Sequence, residues 1–302
     1  MKAELLMLAP LLAEYEAQLA EHFHLVRACS RSEQQALLAD RPERFKTLVT
    51  NGGEGVDPLL MAGLGNLALI AVNGVGVDRI DLEQARARGI RIATTDDILT
   101  DAVADQAVAL LLALLRHVCR ADRFVREGRW REGGFAPLGT SLRGQRVGIV
   151  GLGKIGNAIA ARLQPFGVQL AYHNRRPLAD SPYSYHAGLA ALAQASDILI
   201  VAAAGGAGSR HLVDAAVLDA LGPQGVIVNI ARGSVIDEAA LVARLVDGRL
   251  GGAALDVFEH EPQVPEALLV LDNVVLQPHL GSATLQTRRA MAECVVRAVL
   301  AG

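Results

Sequence analysis

The stretch Val147-Gly148-Ile149-Val150-Gly151-Leu152-Gly153-Lys154-Ile155-Gly156 leaves this chain few folds to choose from. A mostly apolar run enters three glycines spaced G-x-G-x-x-G, and an apolar helical pattern leaves them. That order calls for a buried parallel strand, a tight turn, and a helix packed closely on the strand. Gly151 permits the turn, Gly153 leaves bare backbone for a pyrophosphate, and Gly156 allows the close approach. The helix that starts here aims unpaired N–H groups and its positive dipole end at an anion. In this context the motif reads as a dinucleotide site; a glycine-rich turn in another α/β domain is the plainer alternative.

The flanking sequence extends the pattern on both sides. Strand character appears at 3–9, 25–28, 47–50, 68–72 and 90–93, with helical spacing over 11–23, which predicts an α/β domain with a parallel sheet. Two glycine-rich turns follow strands there, Asn51-Gly52-Gly53-Glu54-Gly55 and Asn73-Gly74-Val75-Gly76. They read either as ligand loops at the carboxyl edge of a sheet or as plain tight turns. A long apolar segment, 101–127, is expected to form one helix bridging two domains, its apolar surplus fitting a subunit interface or burial within one chain. Trp130, in the loop running to Gly139, is expected to pack. From about Gly144, strands near 147–150, 168–173, 197–202, 225–230, 252–256 and 273–276 alternate with helices in the Rossmann style.

Composition narrows the function classes. A length of 302 residues allows two ordinary domains with a large core. With 51% hydrophobic residues and a net charge of -3, the chain has neither a disordered character nor the basic excess that nucleic acid demands. No apolar run reaches membrane-spanning length, and Met1-Lys2-Ala3-Glu4 lacks a typical cleavable signal. Cys29, Cys119 and Cys294 are far apart and form no CxxC pair. They are expected to be reduced thiols of a cytoplasmic protein, buried as small hydrophobes.

The cofactor is expected to be NADP(H), with NAD(H) left open. NAD-binding folds place an acid roughly 20 residues past the glycines, on the ribose 2′-hydroxyl. Here no acid occurs from Gly151 to Ala179, and the second strand ends in Asn174-Arg175-Arg176. A carboxylate would repel a 2′-phosphate, whereas guanidiniums bind one through paired hydrogen bonds. Lys154 and Ile155, between the second and third glycines, complete the cofactor set at this end.

Three ionisable residues end strands or begin the following loops: Arg232, Glu261 and His279. Singly, each has a bland reading as a surface or turn residue. Together they suit reduction of a 2-keto acid. A permanent forked cation holds the substrate carboxylate and polarises the carbonyl. A protonated imidazole supplies the proton, and a carboxylate beside it favours the imidazolium and fixes its orientation. His260 and Glu259 are the neighbouring decoys, with His260 expected on the surface, and the remaining histidines are expected to be structural.

These pieces, with Val75-Gly76-Val77-Asp78, Leu99-Thr100-Asp101, Gly251-Gly252-Ala253-Ala254-Leu255-Asp256-Val257-Phe258 and Pro278-His279 with Gly281-Ser282, resemble the D-isomer-specific 2-hydroxyacid dehydrogenase family. More narrowly they resemble its glyoxylate/hydroxypyruvate and hydroxyphenylpyruvate reductase branch. The resemblance implies two Rossmann-like or flavodoxin-like domains with a cleft between them, residues 1–98 plus 284–302 binding substrate and 99–283 binding the dinucleotide. It implies a homodimer, no metal, and a small 2-keto or 2-hydroxy acid as partner. By position, Val75 and Gly76, with Asn51 and Gly52 nearby, would meet the substrate along with Arg232 and His279. Ile230, Ala231, Asp256 and Gly281 would line the nicotinamide end, with Asp256 accepting from its carboxamide. Glu261 argues against a formate dehydrogenase, which lacks it. A dinucleotide-sensing corepressor and a reductase of larger aromatic keto acids remain as alternatives. Two departures from the family stand out. Ala203-Ala204-Gly205-Gly206-Ala207-Gly208-Ser209-Arg210 replaces a proline-containing loop, which predicts more mobility near the cofactor. The chain also ends at Gly302, which predicts an abbreviated closing segment of the small domain.

Overall fold

The computed structural model describes residues 2–135 and 138–302. Met1 of the amino-terminal tetrapeptide, and Ala136 and Pro137 of the loop after Trp130, lie outside them. Contacts divide the chain into two compact units, with breaks after Leu99 and after Gly281.

The first unit runs β1 (Ala3–Met7), α1 (Ala13–His22), β2 (Phe23–Arg27), α2 (Arg31–Ala39), β3 (Thr47–Asn51), α3 (Pro58–Gly63), β4 (Leu69–Asn73), α4 (Leu82–Ala87) and β5 (Arg91–Ala93). Its strands are parallel in the order β2-β1-β3-β4-β5, the flavodoxin-like order. Strand residues alternate between two cores: Leu6, Leu48 and Ile70 face one side, Leu5, Val49 and Ala71 the other. A strand covered on both faces must be apolar throughout, which is why β4 reads as a continuous hydrophobic run. Local signals start the helices. Ser30 and Glu33 form a capping box on α2, and Asp57 caps α3 just before Pro58.

The second unit runs α5 (Thr100–Leu115), α6 (Val118–Arg126), β6 (Arg146–Val150), α7 (Lys154–Leu163), β7 (Gln169–His173), β8 (Ser184–Tyr185), α8 (Leu189–Gln194), β9 (Ile198–Val201), α9 (Ala215–Leu221), β10 (Val226–Asn229), α10 (Glu238–Val246), β11 (Gly252–Leu255), α11 (Glu266–Leu269) and β12 (Val274–Leu276). The parallel sheet has the order β12-β11-β10-β9-β6-β7-β8. Strand order reverses between β6 and β9, and open sheets of this kind bind ligands at the carboxyl ends beside the reversal. The last helix, α12 (Leu285–Leu300), belongs to the first unit, where Ala292, Val295, Val296 and Val299 join the core beneath β4.

Four expectations are corrected. Segment 101–127 is two helices, α5 and α6, bent by 59° where His117 takes a left-handed φ of 52°. Much of the apolar surplus of α5 is buried within the chain: Val103, Ala104, Ala107, Leu110, Leu111, Leu114 and Leu115. No single helix among the described residues is long and apolar enough to cross a membrane. Trp130 does not pack: it is 69% exposed. Cys29 and Cys119 are exposed and Cys294 is only part-buried, so none fills a core position. Residues 11–28 also divide differently, because the chain passes from α1 straight into β2 at Phe23.

Candidate active site

The glycine turn has the shape its spacing demands. Gly151 takes φ 93°, and a Cβ there would sit 2.7 Å from the backbone of Ala203. At Gly156 an added Cβ would strike the Gly151 carbonyl oxygen. Around Gly153 a Cβ would meet nothing within 4 Å, so bare backbone opens onto free space. Gly153 is also the N-cap of α7 and offers no side-chain cap, leaving the first-turn N–H groups to a ligand. This open cradle fits a dinucleotide pyrophosphate.

Asn174, just past β7, has a task that residue spacing did not reveal. Its Oδ1 accepts the Leu152 N–H at 2.7 Å and so braces the turn. Arg175 and Arg176 follow it on the exposed surface, and neither pairs with an acid among the described residues.

Arg232 lies in the turn after β10. Asn229 is buried at the strand end, and its amide brackets the turn by accepting from Ala231 N–H at 3.0 Å and donating to Arg232 O at 3.0 Å. The Arg232 Nη1 donates to Ala231 O at 2.7 Å. Ile230 and Ala231 are buried beside it. Gly233 seats this turn directly on the next loop, since an added Cβ would collide with the Phe258 carbonyl and the Glu259 nitrogen.

Glu261 lies on that next loop, after β11. Its Oε1 accepts the Phe258 N–H at 3.1 Å and its Oε2 lies 2.9 Å from His279 Nδ1. A carboxylate only accepts, so Nδ1 donates and Nε2 is left for another partner. Burial pushes the Glu261 carboxyl up. The bond and charge of His279, the Phe258 N–H and the charge of Arg232 outweigh that, and hold it below the ordinary glutamate range.

His279 follows β12 with a left-handed φ of 56°. Non-glycine residues hold that conformation only where the surroundings enforce it, at a cost of about 1–3 kcal/mol. Asp256 does the enforcing. Its backbone carbonyl accepts His279 N–H at 2.8 Å, and its carboxylate accepts Leu280 N–H at 2.7 Å and Gly281 N–H at 2.8 Å. Burial raises the Asp256 carboxyl despite these bonds. Sequence reading gave Asp256 only a nicotinamide contact, and its hold on the histidine turn was missed. Gly281 fits because a Cβ there would press on Asp256 Oδ2 at 3.0 Å.

In the first unit, Asn51 ends β3 and Gly52 follows it, while Val75 and Gly76 follow β4. Asn51 Oδ1 accepts the N–H groups of Gly53 and Glu54 at 2.8 Å each, which closes its turn. His260 is exposed as expected. His211 is structural, as expected, through a bond to Glu259. Glu259 is only 10% exposed and bonds both Arg210 and His211. These partners are remote in sequence, so no local signal announces them.

Known proteins resemble this chain over most of its length. The sequence model of the D-isomer specific 2-hydroxyacid dehydrogenase NAD binding domain matches residues 108–281. Glyoxylate/hydroxypyruvate reductase A of Arabidopsis thaliana is 46% identical over 96% of this chain and 93% of its own length. Hydroxyphenylpyruvate reductase of Plectranthus scutellarioides is 44% identical over the same shares. The solved structure of an NADPH-dependent glyoxylate/hydroxypyruvate reductase from Sinorhizobium meliloti, in complex with NADP and malonate, is 43% identical with a TM-score of 0.94, covering 100% of this chain and 93% of that one. With the family model covering more than half of the chain and these identities running almost end to end, the chain belongs to the D-isomer-specific 2-hydroxyacid dehydrogenase family.

Proposed function

We propose that the protein is an NADPH-dependent reductase of small 2-keto acids, of the glyoxylate or hydroxypyruvate type, yielding the D-2-hydroxy acid. One observation carries the reading: the Glu261–His279 pair at 2.9 Å, under the charge of Arg232, on loops at one edge of the sheet that bears the glycine turn. Bound NADPH supplies the hydride. Gly151, Gly153, Lys154, Ile155 and Gly156 hold its pyrophosphate, Asn174, Arg175 and Arg176 its 2′-phosphate, and Ile230, Ala231, Asp256 and Gly281 its nicotinamide end.

Arg232 holds the substrate carboxylate with its fork and draws electron density toward the keto oxygen. His279 delivers a proton from Nε2 to that oxygen. Glu261 accepts from Nδ1, which fixes the ring's orientation and leaves Nε2 to carry that proton. A positioned acid of this kind contributes about 10²–10⁴ in rate. Asn51, Gly52, Val75 and Gly76 are the first unit's substrate-binding set; the substrate domain is taken as residues 1–98 with 284–302, and residues 99–283 serve the cofactor.

The protein acts as a homodimer. Trp130, Phe135 and Leu138 are 69%, 96% and 95% exposed in the single chain, and burying them supports self-association. Light scattering reads the state; a monomer at micromolar concentration refutes it. The unpaired thiols suit the cytoplasm, which cell fractionation tests.

The test is cofactor consumption with NADPH and NADH against a panel of 2-keto acids. Turnover of glyoxylate or hydroxypyruvate with NADPH is expected. No turnover across the panel, with cofactor still bound, sinks the reductase reading and favours a dinucleotide sensor. Arg175→Ser with Arg176→Ser is expected to raise KM for NADPH about tenfold and leave NADH alone.

A further inference from the structure

Three loops at the carboxyl edge of the second sheet meet at one carboxylate. Glu259 Oε1 lies 2.7 Å from Arg210 Nη2 and 3.0 Å from His211 Nε2, so two side chains of the loop after β9 converge on a single oxygen. The same residue's N–H is bonded by Glu238 Oε2 at 3.0 Å, which ties it to the start of α10. His211 N–H in turn donates to Ser234 O at 2.8 Å, two residues past Arg232. Gly233 completes the junction by resting on the Phe258–Glu259 backbone.

The loop gathered here, 203–212, starts at the cofactor turn. Ala203 is the residue whose backbone a Cβ on Gly151 would meet at 2.7 Å. Between Ala203 and Arg210 lie Gly205, Gly206 and Gly208 and no proline. Such a segment has the most conformational freedom to lose on ordering. Its internal ties are short: Ser209 Oγ donates to Ala204 O at 2.7 Å and reaches Gly206 O at 3.1 Å. The far end is held by Arg210 and His211, and His211 is kept in a left-handed φ of 49° by its two bonds.

We propose that Glu259 is a positioning residue for the reaction given above: its carboxylate sets the path of loop 203–212 beside the cofactor turn and locks that loop to those carrying Arg232 and Glu261. In the function proposed above it meets neither substrate nor cofactor. Burial opposes ionisation of Glu259, but His211 and Arg210 outweigh it and hold the carboxyl below the ordinary glutamate range, which keeps the anchor charged. The inference rests on the reductase reading for its effect on turnover, and on the junction alone for its effect on the loop.

Glu259→Ala tests it in the full-length protein. Amide exchange is expected to rise across 203–212 and 230–236 in the absence of cofactor. NADPH affinity, read by fluorescence quenching, is expected to weaken about tenfold, and kcat to fall. Glu259→Gln, which keeps an acceptor oxygen, is expected to restore most of each loss, a rescue that a generic stability role would not give. Arg210→Ala, at a residue 58% exposed in its side chain, repeats the test without threatening the fold. If either alanine variant shows only a lower melting temperature, with loop exchange, NADPH affinity and kcat unchanged, the proposal is overturned. A wild-type protein that turns over no 2-keto acid sinks the reductase reading instead, and the exchange and binding measurements still judge the junction.

Discussion

Two histidine–glutamate pairs take their glutamates from one loop, and they differ in what surrounds them. Glu261 meets His279 at 2.9 Å, with side chains 27% and 40% exposed. Glu259, two residues earlier, meets His211 at 3.0 Å but is 10% exposed and also gripped by Arg210. An arginine cannot give up its proton near neutral pH, so the second pair is a fixed anchor. In the first pair the side-chain bond is to an imidazole, with the charge of Arg232 acting as well, and the ring keeps one nitrogen for another partner. On the function proposed above, the same two side-chain types make a proton donor in one place and a brace in the other. Neighbouring charge and burial decide which.

The largest way to break this contrast is His279→Ala. Turnover is expected to fall about 10²–10⁴-fold while NADPH affinity stays within a factor of two or so. Loss of cofactor binding instead would make His279 a second brace. Glu261→Gln comes next. Removing one charge-assisted bond is expected to cost about 10- to 100-fold in kcat and little in KM. A KM effect alone would remove Glu261 from the proton path. His211→Ala leaves Arg210 on Glu259 and is expected to cost about 2- to 10-fold, mainly in NADPH affinity.

The smallest effect is on stability in acid. Both glutamates are held below the ordinary glutamate range, so each pair stabilises the fold fully above that range. That stabilisation is lost as pH falls through the depressed folded values. The melting temperature of the wild type should therefore exceed that of Glu259→Gln at neutral pH, and the gap should close in acid. A gap that stays constant into acid would mean the charge of Glu259 contributes nothing.

Much of this was readable in the chain because the signals are local. A glycine turn between an apolar strand and a helix announces itself within ten residues, since only glycine tolerates φ 93° at Gly151 or the approach at Gly156. The parallel strands are legible as apolar runs because both faces are covered. The break between α5 and α6 was not legible: Arg116-His117 contains neither glycine nor proline, yet His117 turns left-handed. Trp130 and the cysteines were assigned by residue type, and the fold leaves them more exposed than type suggests.

Residue order alone determined the α/β class, the cofactor turn, the missing acid after β7 and the three loops that bear ionisable groups, because each depends on backbone geometry within a few neighbours. Only the tertiary structure decided which glutamate meets which histidine, that Asp256 holds the turn of His279, and that Asn174 braces the glycines. Those pairings join residues 18 to 48 positions apart. A hydrogen bond reaches about 3 Å, and nothing in local sequence sets which distant loop comes within that reach.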